Sequence, residues 1–343
     1  MVDILKQPFA GAGLWRGSEI KDAAAWIHRL DEEDAAAVDK ALRHAQRSGV
    51  DVFGITAEDF PLGAFGEALA ALRTELEGGR GFQLLRGLPV SRYSPEECRL
   101  LAWGLASHIG SPEPQDRKGS LMHDITDTGR TVDGGEATRG FETSEELTFH
   151  NDGGDAFMLL CLRPAKSGGV SKLASAGALF NEVVARRPDL AEVLQRPFHF
   201  DARAQEGAGR SRCQVVPVFT HHAGHLSVLY KRRYIELAQR FPEVPRLTPE
   251  QVEALDLVDA ICADPDFHLS FEMEPGDVQI GNNYAVLHSR TTFVDHEDAL
   301  RRRHLLRIWM TLPNGRPLPP VFEETREFGP AYARRMAGGL VTA

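Results

Sequence analysis

The sequence predicts a mainly β architecture, a barrel or jelly roll with helices flanking it at the N-terminal end. Three observations carry that prediction. From Leu121 onward, short strand-like runs recur between Gly, Pro, Asn and Asp residues: 121–127, 146–150, 156–163, 170–175, 213–219, 225–230, 268–273, 277–282 and 304–310. Helical spacing of apolar residues is concentrated in the first third of the chain. Only two helical stretches, Ala176 to Leu194 and Pro249 to Cys262, interrupt the strands.

Taken in order, the segments Glu19 to Leu30, Asp31 to Arg47 and Ala64 to Leu76 carry apolar residues at helical spacing and are expected to be helices. Gly81 to Gly87 reads as a short strand. Ser94, followed by Pro95 and Glu97, forms a capping box that starts a helix running to about His108. No repeat of fixed period and no low-complexity linker divides the chain. Residues 1–343 are therefore expected to form one domain, with 1–120 mainly helical, 121–312 the jelly-roll core and 313–343 a C-terminal tail.

Composition excludes several classes. Lys and Arg number 39 against 49 Asp and Glu, a formal charge of -10, so there is no net attraction for nucleic acid or for an anionic membrane surface. The N-terminus lacks the basic-then-apolar layout of an export signal, and a cytoplasmic location is expected. Cys98, Cys161, Cys213 and Cys262 show no CxxC spacing and read as buried, inert thiols. Nucleophile-elbow, P-loop and dinucleotide fingerprints are missing from the sequence.

Chemistry first becomes visible at Glu145 to Asp152. On a strand, Thr148, His150 and Asp152 share one face, and His150 and Asp152 lie about 6.6 Å apart along it, close enough to converge on one metal ion. A third donor is available in His288, at the far end of the apolar run that follows Pro275-Gly276-Asp277. Two histidines and one carboxylate compose the facial triad of non-haem Fe(II) oxygenases, although a lone histidine at position 288 equally suits simple packing. On the last strand, Arg303, Arg307 and Trp309 share one face, and Leu306, Ile308 and Met310 the other. Inward arginines are costly unless each meets an anion, whereas Arg301 and Arg302 fit an exposed basic turn. Strand geometry separates Arg303 from Arg307 by about 13 Å, so the two serve different anions. For Arg307 the anion is the metal-bound end of a keto acid, a protein carboxylate or an acidic group on a substrate. The cluster His221, His222 and His225 reads as an exposed turn, and the pair Glu145 and Glu146 leaves a glycoside-hydrolase reading open only if the arginine-bearing strand is ignored.

These features together resemble the taurine dioxygenase (TauD/TfdA-like) family of Fe(II)- and 2-oxoglutarate-dependent oxygenases, over roughly Gly81 to Leu312. The resemblance rests on four ordered motifs: Phe149-His150-Asn151-Asp152, Gly168-Gly169-Val170-Ser171, Pro275-Gly276-Asp277 with Asn282-Asn283 and His288-Ser289-Arg290, and Arg303-His304-Leu305-Leu306-Arg307. It implies a double-stranded β-helix in a catalytic domain, with His150, Asp152 and His288 as Fe(II) ligands. Arg303 matches the arginine that pairs with the distal carboxylate of 2-oxoglutarate, and Ser171 the hydroxyl residue that assists it. Arg307 matches a second arginine that contacts substrate or co-substrate. The implied reaction consumes dioxygen and 2-oxoglutarate, releases succinate and carbon dioxide, and oxidises, by default hydroxylates, a C–H bond of a small organic substrate; the anion that Arg307 needs adds the expectation that this substrate is acidic or zwitterionic. A homo-oligomer is compatible with the family. Two other readings of the same residues are a zinc-dependent hydrolase and a non-catalytic jelly-roll binding protein. Taurine itself is not implied, because the spacing from Asp152 to Gly168 is shorter, and that from His288 to Arg303 longer, than in taurine dioxygenase. The loops 124–142 and 204–212 are candidate lids or disordered surface.

Overall fold

Two β-sheets, helices against the outer face of the larger one and a cavity at which both meet organise the computed structural model, which describes residues 4–131, 140–205 and 211–338. The N-terminal part contains strand β1 (Ile27–Arg29), helices α1 (Glu32–Ser48) and α2 (Ala64–Gly78), strand β2 (Phe82–Arg86) and helix α3 (Pro95–Ile109). Asp31 caps α1 by accepting from the backbone N–H groups of Glu33 and Asp34, and Gly49 closes it in the left-handed region at φ 68°. Ser94 and Glu97 form the reciprocal capping box of α3. Ser94→Ala is expected to lower stability by about 1 kcal/mol, readable as a lower midpoint in denaturant with unchanged slope.

One expected helix is not formed. Residues 19–30 make two short 3-10 turns, Gly17–Glu19 and Ala23–Ala25, and then β1, which pairs in parallel with β2. Local propensity loses here to tertiary contacts: Trp26 is buried, donates its indole N–H to the Ile20 carbonyl and accepts from the Gln83 side chain. The stretch Ala176 to Leu194 is likewise not one helix but two, α4 (Ala176–Arg186) and α5 (Pro188–Leu194). Pro188 disfavours helical geometry at the residue before it, and Arg187 sits at φ -149°, ψ 79°.

The remaining strands are β3 (Ser111–Glu113), β4 (His123–Ile125), β5 (Leu147–His150), β6 (Ala156–Arg163), β7 (Ser167–Gly168), β8 (Ser171–Ser175), β9 (Pro197–Asp201), β10 (Cys213–Pro217), β11 (Phe219–His222) and β12 (His225–Val228), followed after two helices, α6 (Arg232–Ala238) and α7 (Pro249–Ala263), by β13 (Leu269–Phe271), β14 (Val278–Asn282), β15 (Val286–Arg290), β16 (Phe293–Val294) and β17 (His304–Thr311). The larger sheet runs β1-β2-β14-β6-β17-β3, with β4 also on β17; the smaller runs β13-β8-β15-β5. A last helix, α8 (Gly329–Ala337), gives structure to the tail.

Alternation on β17 decides what the larger sheet shows to each side. Leu306, Ile308 and Met310 pack with Met158, Leu160, Val278 and Ile280 in one apolar core with Leu42, Leu69 and Leu101 from α1, α2 and α3. Leu305, Arg307 and Trp309 turn the other way and line the cavity, as does Arg303 just before the strand. Burying each large aliphatic side chain stabilises the outer face by about 1.5–3 kcal/mol, and a slip of one residue would bring Arg307 into that apolar layer, so the register is strongly specified. A second core, built by α4, α5, α7, β10, β11 and β12, includes Ala174 and Leu287 of the smaller sheet. All four cysteines are buried and free. Among the described residues no helix is long and apolar enough to cross a membrane.

Candidate metal and co-substrate site

Strands β5 and β15 pair antiparallel so that His288 lies directly across from His150, with ring centroids 4.3 Å apart and a register shift immediately beyond, between His288 and Arg290. Asp152 follows two residues after the end of β5. One ligand atom from each of His150, Asp152 and His288 lies within 4.8 Å of the others, and this is the only such group of three His, Cys, Asp or Glu residues among the described residues. His288 Nε2 is 3.8 Å from Asp152 Oδ2.

The protonation pattern suits a cation. His150 Nδ1 lies 2.7 Å from the Thr148 carbonyl, so Nδ1 donates and Nε2 keeps its lone pair. His288 Nε2 is buried and has no hydrogen-bond partner among the described residues, while its ring stacks on Phe157 at 4.4 Å. Burial, followed by the neighbouring His150, pushes the His288 imidazolium down to about 3, and burial also lowers His150. Burial would raise the Asp152 carboxyl, but the Arg307 guanidinium beside it outweighs this and holds it below the usual carboxylate range. Two neutral imidazoles and one carboxylate result, and an orphaned buried nitrogen among them is the arrangement a bound divalent metal would satisfy.

Backbone contacts hold the loop that carries Asp152. Its N–H donates to Asn283 Oδ1 at 3.1 Å, and Asn283 Nδ2 donates to the Gly153 and Gly154 carbonyls at 2.6 and 3.2 Å. Gly154 sits at φ 70°, and a Cβ there would lie 2.9 Å from the Met310 carbonyl oxygen. Asn151 Oδ1 accepts from the Tyr230 N–H at 2.7 Å. Sequence reasoning gave Asn283 no role, although it lies in one of the quoted motifs; nothing local marks an amide that acts on a loop so distant in the chain. Asn283→Ala is expected to weaken Fe(II) binding by about 10- to 100-fold, measured by anaerobic titration, since it frees the carboxylate loop without removing a donor.

The two inward arginines differ. Arg303 is buried, its Nη1 has no hydrogen-bond partner among the described residues, and its guanidinium lies 5.1 Å from the Phe293 ring centroid. Ser171, also buried, lines the same cavity. Arg307 is already engaged: Nη1 donates to Asp152 Oδ1 and Oδ2 at 3.0 and 3.2 Å, and Nε to Gln115 Oε1 at 2.8 Å. Of the three anions open to it on sequence grounds, the fold supplies a protein carboxylate.

Residues outside this group fall as follows. His221, His222 and His225 sit on the β11–β12 hairpin, with His222 opposite His225, and belong to no metal-ligand group of the described residues. Glu145 and Glu146 are exposed at the cavity wall. Of the two candidate lids, residues 132–139 and 206–210 lie outside the described residues; Gly140, Phe141 and Arg203, beside them, line the cavity.

Comparison with known proteins agrees with the fold. The model of the taurine catabolism dioxygenase TauD, TfdA family matches residues 38–309, and the chain belongs to that family of Fe(II)- and 2-oxoglutarate-dependent oxygenases, which act with dioxygen. FR-33289 synthase of Streptomyces rubellomurinus (strain ATCC 31215) is 32% identical over 327 residues, covering 93% of this chain and 95% of that protein. Among solved structures, asparagine oxygenase in complex with Fe(II), 3-hydroxyasparagine and succinate superposes with a TM-score of 0.64 at 21% identity, over 84% of this chain and 93% of that one. The non-haem iron oxygenase OrfP with Fe and α-ketoglutaric acid gives 0.60 at 16% identity, over 83% and 94%. The fold is thus the double-stranded β-helix of these oxygenases.

Proposed function

We propose that His150, Asp152 and His288 hold Fe(II), that Arg303 with Ser171 seats the distal carboxylate of 2-oxoglutarate, and that the enzyme hydroxylates a C–H bond of a small acidic or zwitterionic organic molecule. The observation that carries this reading is the coincidence, in one cavity of about 310 Å³, of His288 Nε2 beside a carboxylate and a buried arginine Nη1, both without a hydrogen-bond partner among the described residues. When bound, Fe(II) and 2-oxoglutarate supply the oxidising power that links dioxygen to the substrate, with succinate and carbon dioxide as by-products.

The chain's own residues do the rest. The Thr148 carbonyl orients His150, Asn283 orients the Asp152 loop, and Arg307 steadies the carboxylate that two metal-ligand histidines flank. Leu159, Leu305 and Trp309 give the cavity an apolar wall that excludes water from the reacting centre. A zinc hydrolase on the same triad gives the buried Arg303 Nη1 no hydrogen-bond acceptor, and no observation favours it. The cavity is at the lower end of the range for small-ligand sites, which supports a compact substrate. Asparagine oxygenase and OrfP are both described with hydroxylated amino acids of that size.

The test is an anaerobic optical titration of the protein with Fe(II) and then 2-oxoglutarate. A visible charge-transfer band on adding the keto acid is expected. Bound iron with no such band would overturn the assignment.

A further inference from the structure

The cavity has a second cationic corner that the reading above leaves unused. Lys231, whose backbone bridges to His150, reaches it from the start of α6, and Arg326 reaches it from the tail. Both donate to the same oxygen of buried Glu327, Lys231 Nζ at 2.7 Å and Arg326 Nη2 at 2.8 Å, while Gln214 Nε2 occupies the other oxygen at 2.7 Å. Arg326 Nε and Nη1 are buried without a partner among the described residues. The guanidinium of Arg326 and the ammonium of Lys231 lie 6.0 and 5.5 Å from the Tyr234 ring centroid. This corner is separate from that of Arg303. The carboxylates that act on Arg326 are Glu327 and Asp152, whereas the one that acts on Arg303 is Asp295.

Charge balance turns the corner into an argument about substrate. Around the triad, four cations, Arg303, Arg307, Lys231 and Arg326, face two carboxylates, Asp152 and Glu327, and a histidine that ligates a metal is neutral. Arg290 and Asp295 add one charge of each sign beside Arg303 and leave the balance unchanged. Glu236 is committed to Arg232, which also pairs with Asp256 and Asp259, and the lining pair Glu145 and Glu146 is matched in charge by Arg203 and Arg233. Fe(II) brings two positive charges and 2-oxoglutarate two negative ones, so the loaded site keeps two positive charges with no counter-ion. A buried excess of that size favours an anion strongly.

Resting on the iron and 2-oxoglutarate reading above, we propose that Lys231 and Arg326 form a substrate-anion subsite, and that the substrate carries an oxyanion group which seats there, a dianion of phosphate or phosphonate type matching the charge better than a carboxylate. Arg307, held by Asp152, is then a positioning residue and not the substrate's anchor.

The experiment is anaerobic calorimetry on the enzyme loaded with Fe(II) and 2-oxoglutarate, using methylphosphonate, acetate and neutral acetamide as probes, with the charge-transfer band recorded for each protein. Methylphosphonate is expected to bind about tenfold or more tightly than acetate, and acetamide not at all. Arg326→Gln is expected to weaken methylphosphonate by about tenfold or more, and Arg326→Lys to restore most of it, with the band preserved in both. Equal affinity in wild type and Arg326→Gln, including an anion bound to the iron itself, overturns the subsite. Acetate binding as tightly as methylphosphonate, still through Arg326, keeps the subsite and overturns the dianion preference. A wild type with the band but no anion binding sinks this inference alone, and a wild type with no band sinks both readings. A band lost only in Arg326→Gln assigns Arg326 to the co-substrate and overturns the subsite.

Discussion

His288→Ala, and equally His150→Ala, is expected to weaken Fe(II) binding by more than about 100-fold and to bring turnover to baseline while the fold persists. Losing a residue that merely orients a ligand costs about 10- to 100-fold in metal affinity, and each histidine here is proposed as a donor itself. The fold should tolerate the change because both side chains line the cavity and the strand pairing of β5 with β15 uses backbone groups. Anaerobic Fe(II) titration reads the first effect and thermal unfolding the second. Near-normal activity of His288→Ala would remove it from the triad. His221→Ala is the contrast: on the β11–β12 hairpin it should change stability by no more than about 0.5 kcal/mol and leave iron affinity intact.

Arg303→Ala is expected to cost about 2–5 kcal/mol in 2-oxoglutarate binding, which is about 30-fold to several thousand-fold, because the distal carboxylate of the co-substrate would be left in a buried site without its charged partner. Arg301, exposed at the end of the short 3-10 turn Ala299–Arg301, provides the control. Arg301→Ala should leave the 2-oxoglutarate requirement unchanged. The comparison is made by following the charge-transfer band against 2-oxoglutarate concentration, and equal behaviour of the two variants would show that the buried guanidinium is not the co-substrate anchor.

What the sequence disclosed depended on whether a period could express it. The two faces of β17 follow from alternation alone, so the inward set of Arg303, Arg307 and Trp309 was legible before any coordinates. His150 and Asp152 were legible from their spacing, although β5 ends at His150 and the loop beyond it, not a shared strand face, carries Asp152, while bringing His288 to them required a topology that only the resemblance to other oxygenases supplied. The segment 19–30 misled because Ala23, Ala24 and Ala25 have strong helical preference, yet the edge of β2 was available for pairing. Asn283, Lys231, Glu327 and Arg326 were invisible as site residues. Asn283 acts on Gly153 and Glu327 on Lys231 and Gln214, partners distant in the chain, while Arg326 enters through its neighbour Glu327, and no local spacing encodes such a meeting.

The tail has a bearing on how such an enzyme diverges. The family match stops at residue 309, and Arg326, Glu327 and Arg335 all come after it. Part of the recognition corner would then be inherited apart from the oxidant chemistry, with Lys231 inside the match and Arg326 and Glu327 outside it, and a descendant could retune its substrate by rewriting the last thirty or so residues while β5, β15 and β17 stay as they are. The graft has one compatibility rule. Asp155, three residues past the Asp152 of the triad, accepts from Arg335 Nη2 at 2.6 Å, from the Leu312 N–H at 2.7 Å and, on its other oxygen, from the Tyr284 hydroxyl at 2.7 Å. A transplanted tail without a cation to meet Asp155 would strand a buried carboxylate next to the metal loop, so chimaeras between relatives should be cut after Thr311 and chosen to keep that one pair.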